Sequence, residues 1–264
     1  MLDINSVPFE RALGKQVGEA IQLMHEKNGV RFRGGAIVKE IISGDDGKVK
    51  SVVLEDGTTL DADMVIMATG VRPNTKYLEG SGIELAKDGG IICDPFLETN
   101  VKDVFAAGDV ASYPYWPTGS RTRTEHWSAA LDMGTNAAFN MLDKYVPYAD
   151  VPFFWTRHYN KSLQVIGALQ VGYKECHIRG KPHKGKFLAF YINENDVIVG
   201  VAGMNKQKDI LRMHEAMEQN LMPKGSEIKS GKVRIKEIRD RLKSNPGAGR
   251  CKRANCCQKQ AAKL

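Results

Sequence analysis

The residues best suited to chemistry lie in Thr99-Asn100-Val101-Lys102-Asp103-Val104-Phe105-Ala106-Ala107-Gly108-Asp109-Val110. Val104–Ala107 predicts a buried strand that delivers Gly108 and Asp109 to the carboxyl edge of a sheet, where α/β proteins bind ligands. Glycine lets a backbone approach a ligand closely, and a carboxylate there accepts strong hydrogen bonds from sugar-like hydroxyls. Read as an isolated dipeptide, Gly-Asp is merely a turn. A second segment, Asp63-Met64-Val65-Ile66-Met67-Ala68-Thr69-Gly70-Val71-Arg72-Pro73-Asn74, ends an apolar run on Thr69 and Gly70, and Pro73 stiffens the crossover after them. A third, Arg123-Thr124-Glu125-His126-Trp127, stands at the start of a predicted helix. A helix N-terminus offers unsatisfied N–H groups and a partial positive charge, suited to negative charge that develops during a reaction. Glu125 as a dipole-compensating cap and Trp127 as core are the plainer alternatives. The fourth, Val151-Pro152-Phe153-Phe154-Trp155-Thr156, presents Trp155 as either a ligand contact or an aromatic core anchor.

Taken together these segments resemble the two-dinucleotide-domain FAD/NAD(P)-dependent oxidoreductases of the pyridine nucleotide-disulfide superfamily. The Gly108-Asp109 run resembles their second FAD-binding motif, and the resemblance implies that Asp109 holds the ribityl chain of FAD. Ala68-Thr69-Gly70 through Pro73-Asn74 resembles the A-x-G-x-x-P-N segment that ends the nicotinamide domain and returns the chain to the FAD domain. By the same resemblance Glu125 and His126 line the nicotinamide side of the flavin, with Trp127 packing nearby. Reduced flavin carries negative charge at its pyrimidine edge, which a helix N-terminus stabilises. Val151-Pro152-Phe153-Phe154-Trp155-Thr156 resembles the P-x-F-W-S-D opening of the family's last domain. Here Thr156-Arg157 replaces Ser-Asp, so only Trp155 is carried over. The implied FAD contacts are therefore Gly108, Asp109, Glu125, His126, Trp127 and Trp155, and the implied NAD(P) contacts are Thr69, Gly70 and Glu125. The likeness, over about residues 5 to 220, is closest to the ferredoxin-reductase-like and apoptosis-inducing-factor-like branch.

The elements that must position these residues can be read from periodicity. Leu13, Val17, Ala20, Ile21 and Met24 predict an amphipathic helix over Phe9–Asn28, stopped by Gly29. An extended stretch starting at Val30–Phe32 precedes strands at Ala36–Ile42, Val49–Leu54 and Thr58–Asp61, joined by Gly44–Gly47 and Asp56-Gly57 turns. Met64–Ala68 reads as a strand buried on both faces of a parallel sheet. Ile91–Asp94 is a further strand. A helix is predicted over Ser128–Tyr145 with Leu131, Ala138, Met141 and Leu142 on its apolar side. Strands at Leu163–Gly167, Phe187–Ile192 and Val197–Ala202 form a small sheet, with Asn193–Asp196 as a turn, and a helix over Lys206–Asn220 comes next. The fold class is thus α/β: two incomplete Rossmann-like dinucleotide-binding domains, then a small α+β C-terminal domain. The expected boundaries are 1–70 for the NAD(P) part, 71–148 for the FAD part, 149–222 for the C-terminal domain and 223–264 for a basic, largely flexible tail, with helical character around Val233–Leu242 that Asn245-Pro246-Gly247 breaks.

Composition narrows the function classes. Of the net charge of +7, residues from Lys224 onward hold 13 Lys/Arg against 3 Asp/Glu, a net of +10, so the residues before them sum to −3. The body is slightly acidic, and specific nucleic-acid binding is not expected. No apolar run approaches the roughly 18–20 residues that span a bilayer, and the N-terminus has no signal-peptide pattern. The scattered cysteines suit reduced thiols, pointing to an intracellular protein, cytoplasmic or organellar, with no metal site. Gly180–Lys186 has phosphate-loop spacing but ends in Phe187, which makes it a basic surface loop. The family's two G-x-G-x-x-G fingerprints are absent. The resemblance accordingly implies that the first FAD half lies upstream of Met1 and that this chain holds a partial FAD site. The expected chemistry is hydride transfer from NAD(P)H to FAD, then electron transfer to a protein or small-molecule acceptor. Homodimerisation is left open. The alternative is an inactive relative that acts as an interaction module through its basic tail.

Overall fold

A computed structural model describes residues 1–245, which divide into two compact units. The first comprises Met1–Val71 with Pro182–Gly185. Its helical segment is two helices, α1 (Glu10–Leu13) and α2 (Lys15–Glu26), because Gly14 between them takes a φ of 77°. Leu13, Val17, Ala20, Ile21 and Met24 are buried, as the spacing requires. A three-stranded antiparallel sheet comes next: β1 (Val38–Ser43), β2 (Val49–Leu54) and β3 (Thr59–Asp61), with Ala36, Val52 and Leu54 as its small core. The stretch from Val30 makes a single parallel bridge, Leu2 to Arg33, rather than a strand.

Met64–Ala68 does not form the expected buried strand. No strand among the described residues pairs with it, and Met64, Ile66 and Met67 are 76%, 85% and 74% exposed. Val65 alone leans on the core beneath β2.

The second unit holds the remaining elements. β4 (Ile91–Ile92) pairs in parallel with β5 (Ala111–Pro114), which pairs antiparallel with β6 (Arg121–Thr122). Helix α3 (Trp127–Met141) buries Ala129, Met133, Ala137 and Asn140. This reverses the expected apolar side. Leu131, Met141 and Leu142 are more than half exposed, and Ala138 is also exposed. Ala129, Met133 and Ala137 face the core around Leu97, Ala111 and Tyr113, the two alanines admitting close approach, while Leu131, Met141 and Leu142 point outward.

A five-stranded antiparallel sheet of order β7-β8-β11-β10-β9 closes the unit. Its strands are β7 (Phe153–His158), β8 (Lys161–Gly167), β9 (Glu175–Lys181), β10 (Lys186–Ile192) and β11 (Ile198–Met204). β9 was not expected; Cys176, Ile178 and Gly180 alternate with Glu175, His177, Arg179 and Lys181 but supply only one large apolar side chain, and pairing with β10 makes it a strand. Of the expected surface loop Gly180–Lys186, Pro182–Gly185 is the loop of that hairpin, while Gly180 and Lys181 belong to β9 and Lys186 to β10. Helix α4 (Gln207–Glu218) lays Ile210, Met213, Ala216 and Met217 on β8 and β11.

The basic segment is not a flexible tail from residue 223. Helices α5 (Gly225–Lys229) and α6 (Ile235–Ser244) place Ile228, Val233 and Ile238 in the same core as Phe190 and Val201. Arg179 donates to the carbonyls of Ile228 and of Val233 (3.2 Å), and Ser226 donates through N and Oγ to Asp196 (2.7 and 2.5 Å). Residues 246–264, with Cys251, Cys256 and Cys257, lie outside the described residues. Replacing the fully buried Ile238 by Ala is expected to cost about 2–4 kcal/mol, read by chemical denaturation. An unchanged midpoint would mean that α6 adds nothing to the core.

Candidate functional site

The site is built on a turn. Ala107 is extended, and Gly108–Val110 then close one turn of 3-10 helix that leads into β5. Gly108 has a φ of +78°, and a Cβ there would stand 3.5 Å from Cβ of Ala130 in α3. Space alone admits a methyl group; the left-handed φ is what favours glycine. The turn thereby brings Asp109, whose side chain is exposed, to the N-terminal end of α3. Two expectations change here. Val104–Ala107 is no regular strand, since Phe105 makes one isolated bridge to Glu98. Asp109 consequently precedes the strand β5 and does not hang from the carboxyl end of another.

On the other side, β6 runs into Arg123–Trp127. The Tyr113 hydroxyl lies 2.9 Å from Thr124 Oγ1, both buried, and pins this stretch to β5. Arg123 sends three hydrogen bonds into three chain segments. Nε donates to Asp88 Oδ2 (2.8 Å), and Nη1 donates to the Asp109 carbonyl (2.9 Å) and to Glu125 Oε1 (2.5 Å). The hydrogen bond from Arg123, opposed by partial burial, holds the Asp88 carboxyl below the usual carboxylate range. Arg121 makes a parallel tie, donating to the carbonyls of Cys93 and Ser112.

His126 is extended and occupies the position before α3, and its side chain makes no capping hydrogen bond to the helix's first N–H groups. Its ring stacks on Phe154 of β7 with centroids 5.5 Å apart and planes at 26°. Nδ1 is buried without a hydrogen-bond partner among the described residues. Burial pushes the imidazole below its ordinary value, against the carboxylates of Asp109 and Glu125, which raise it. Trp127 is 83% and Trp155 61% exposed, so neither is the core anchor considered from sequence, and Trp127 is not packed away.

Gly108, Asp109, Glu125, His126 and Trp127 thus meet at one helix end, whereas Trp155, the next residue of β7 after the Phe154 that stacks there, lies on the opposite face of the strand. Thr69 and Gly70 belong to the first unit, where both are exposed and Gly70 has a φ of +94°. Sequence reasoning missed Asp88 and Phe154 and gave Arg123 no role. Arg123 stood inside the quoted segment, but nothing in the Asp88-Gly89-Gly90 turn marks its aspartate as a partner. Cys93 and Cys176, the two cysteines described, are unpaired, and burial pushes their thiols up to about 12 and about 11, so neither is a ready nucleophile. Among the described residues no group of acidic, His or Cys side chains could hold a metal, and no helix is long and apolar enough to cross a membrane. The chain's C-x-x-x-x-C spacing, Cys251 to Cys256, falls beyond residue 245.

These donors and surfaces fit one part of a flavin dinucleotide. An exposed carboxylate suits polyol hydroxyls, an uncapped helix end and a buried unpartnered imidazole nitrogen suit polar ring edges, and the exposed indole of Trp127 suits a planar ring. No glycine-rich turn for a pyrophosphate accompanies them.

Residues 1–134 match the sequence profile of the family described as pyridine nucleotide-disulphide oxidoreductase, whose members use FAD and NAD(P)H, and residues 153–239 match that of the reductase C-terminal family. The second match runs through α5 and into α6, past the boundary at 222 expected from sequence. The chain is 35% identical over 218 residues to human (Homo sapiens) apoptosis-inducing factor 3, covering 82% of this chain and 36% of that protein. It is 29% identical to the ferredoxin–NAD(+) reductase component of the anthranilate 1,2-dioxygenase system of Burkholderia cepacia, over 86% of this chain and 55% of that one. Among solved structures, the covalent putidaredoxin reductase–putidaredoxin complex superposes with a TM-score of 0.82 at 27% identity, over 92% of this chain and 57% of that chain. The ferredoxin reductase of the CYP199A2 system from Rhodopseudomonas palustris shares the fold at a TM-score of 0.79 and 24% identity, over 89% and 57%.

Because its pKa is depressed in the fold, His126 favours the folded state when neutral. Its contribution is present above the ordinary value of 6.5 and is lost as pH falls through the lower folded value. His126→Phe, which keeps an aromatic ring against Phe154, is expected to flatten the part of the melting-temperature profile that declines below pH 6.5. An unaltered profile would mean that His126 titrates as it does in the unfolded chain.

Proposed function

Since the chain belongs to the pyridine nucleotide-disulphide oxidoreductase family, we propose that it serves an FAD-dependent oxidoreductase that moves hydride from NAD(P)H to FAD and electrons onward to an acceptor. The chain spans 36% to 57% of the length of the relatives described above, so the whole activity is proposed for the protein of which these residues form the flavin-gripping and C-terminal parts. One observation carries the reading. An exposed carboxylate, Asp109, is held on a glycine turn beside the uncapped N-terminus of a 15-residue helix.

Each residue has a definable task. Asp109 accepts hydrogen bonds from the ribityl hydroxyls, and Gly108 gives the turn its shape. The first N–H groups of α3 face the cofactor's electron-rich edge and favour added negative charge there. His126, kept neutral by burial, offers a ring nitrogen without adding positive charge, and Glu125 and His126 line the nicotinamide side. Trp127 supplies a flat surface that excludes water, and Trp155, on the face of β7 opposite Phe154, is assigned to the flavin by the family resemblance alone. Thr69 and Gly70 are assigned to the nicotinamide cofactor. Bound flavin supplies the exchange between two-electron hydride chemistry and electron transfer to the acceptor. A ferredoxin-type acceptor is favoured by the relative named a ferredoxin–NAD(+) reductase component and by the solved complex with putidaredoxin.

The test is flavin retention. In protein expressed from its own gene, Asp109→Ala is expected to weaken flavin binding by about tenfold or more, as loss of a charge-assisted hydrogen bond implies. Flavin absorbance per chain after gel filtration reads this directly. Wild-type retention in the variant, or no flavin in either protein, would defeat the assignment.

A further inference from the structure

We infer that Arg123, seated by Asp88 and Gly90, is the positioning residue of this site, fixing Asp109 and Glu125 around His126 without itself contacting the cofactor. The inference rests on the functional reading only for the identity of the group the site faces.

The geometry is that of a clamp. One amino group, Nη1, is shared between the backbone carbonyl of Asp109 and the carboxylate of Glu125, so the turn and the approach to α3 cannot move independently. Nε is spent on Asp88, whose other oxygen, Oδ1, accepts from the Gly90 amide at 3.1 Å. The seat has been cleared for this side chain: a Cβ on Gly90 would lie 2.9 Å from Cδ of Arg123, closer than side chains tolerate. Gly90 is not in the left-handed region, so proximity and not backbone conformation is what glycine provides there. The Arg123 side chain is 16% exposed, whereas Asp88 and Glu125 are 51% and 39% exposed. Exposed carboxylates paired to arginine contribute little to stability. A clamp of this kind acts mainly through placement.

Placement has an electrostatic consequence. Asp109 and Glu125 are the two carboxylates that act on His126, while the partner it stacks on, Phe154, is uncharged. Drawn to Arg123, Glu125 has its charge compensated. Released, it would face His126 with its full charge and favour the imidazolium. In the assembled site that extra negative charge would oppose reduction of a flavin and lower its potential.

The experiment tracks His126 by NMR in flavin-free protein, its signal assigned by loss in His126→Phe. Arg123→Ala is expected to raise the His126 titration midpoint. Gly90→Ala, which changes no charge but crowds the arginine stem, is expected to raise it by a smaller shift. A wild-type or lowered midpoint in either variant, with the circular dichroism of the folded protein, overturns the inference. Should Arg123→Ala fail to fold, Gly90→Ala decides. No flavin enters this titration, so a protein that never retains flavin would defeat the functional reading and leave the clamp standing.

Discussion

The positive φ of Gly108 is the constraint on which the site depends. It lets the chain turn within three residues from an extended segment into β5 while lying against the first turns of α3. A residue with a side chain would take up left-handed geometry at about 1–2 kcal/mol. The relief would come from moving the turn, and Asp109 with it. Everything else at the site is arranged around that fixed point: the hairpin of β5 and β6 returns the chain to it, and α3 starts beside it.

The C-terminal sheet contributes through one strand. Among the described residues β7 is an edge strand, paired only with β8, and it carries Phe154 against His126. An edge strand is free to bend, so its position is set by what lies behind it. Behind it stand β8 and β11, whose residues Leu163 to Gly167 and Ile198 to Met204 are buried almost throughout, with α4 across them. The histidine's surroundings are therefore defined partly by a core of Ile166, Val201 and Ile210, none of which touches the site.

How much of this is legible in the sequence depends on where each residue's partners lie. The turn at Gly44–Gly47, the hairpin at Asp56-Gly57, the strands β2, β8, β10 and β11 and the helix α4 arise from local signals, because turn residues and amphipathic spacing act within a few positions. Met64–Ala68 fails for the opposite reason. Its composition is that of a sandwiched strand, but a strand exists only through neighbours' hydrogen bonds, and among the described residues none pairs with it. The facing of α3 fails because the neighbours select the face: Ala129, Met133 and Ala137 lie on the side that meets the core, while Leu131 and Met141 are left outside. At the site, the glycine, aspartate, histidine and tryptophans are visible as types at a spacing. The Arg123 clamp is not, since Asp88 is 35 positions away and only the folded chain brings it near.

The basic segment shows how charge misleads when burial is unknown. Each of its three acidic residues in α5 and α6 engages an arginine: Glu227 with Arg241, Glu237 with Arg234 and Asp240 with Arg239. Such exposed pairs are worth about 0–1 kcal/mol each and cannot by themselves order two short helices. Ile228, Val233 and Ile238, all but out of solvent, are worth roughly 1.5–3 kcal/mol apiece by burial. The apolar residues win by magnitude, and the chain stays packed well past the point where its charge alone predicts a loose end. Lysines then remain on the outer side of α6, as Lys236 and Lys243, because the buried stripe through Ile238 leaves them nowhere else to go.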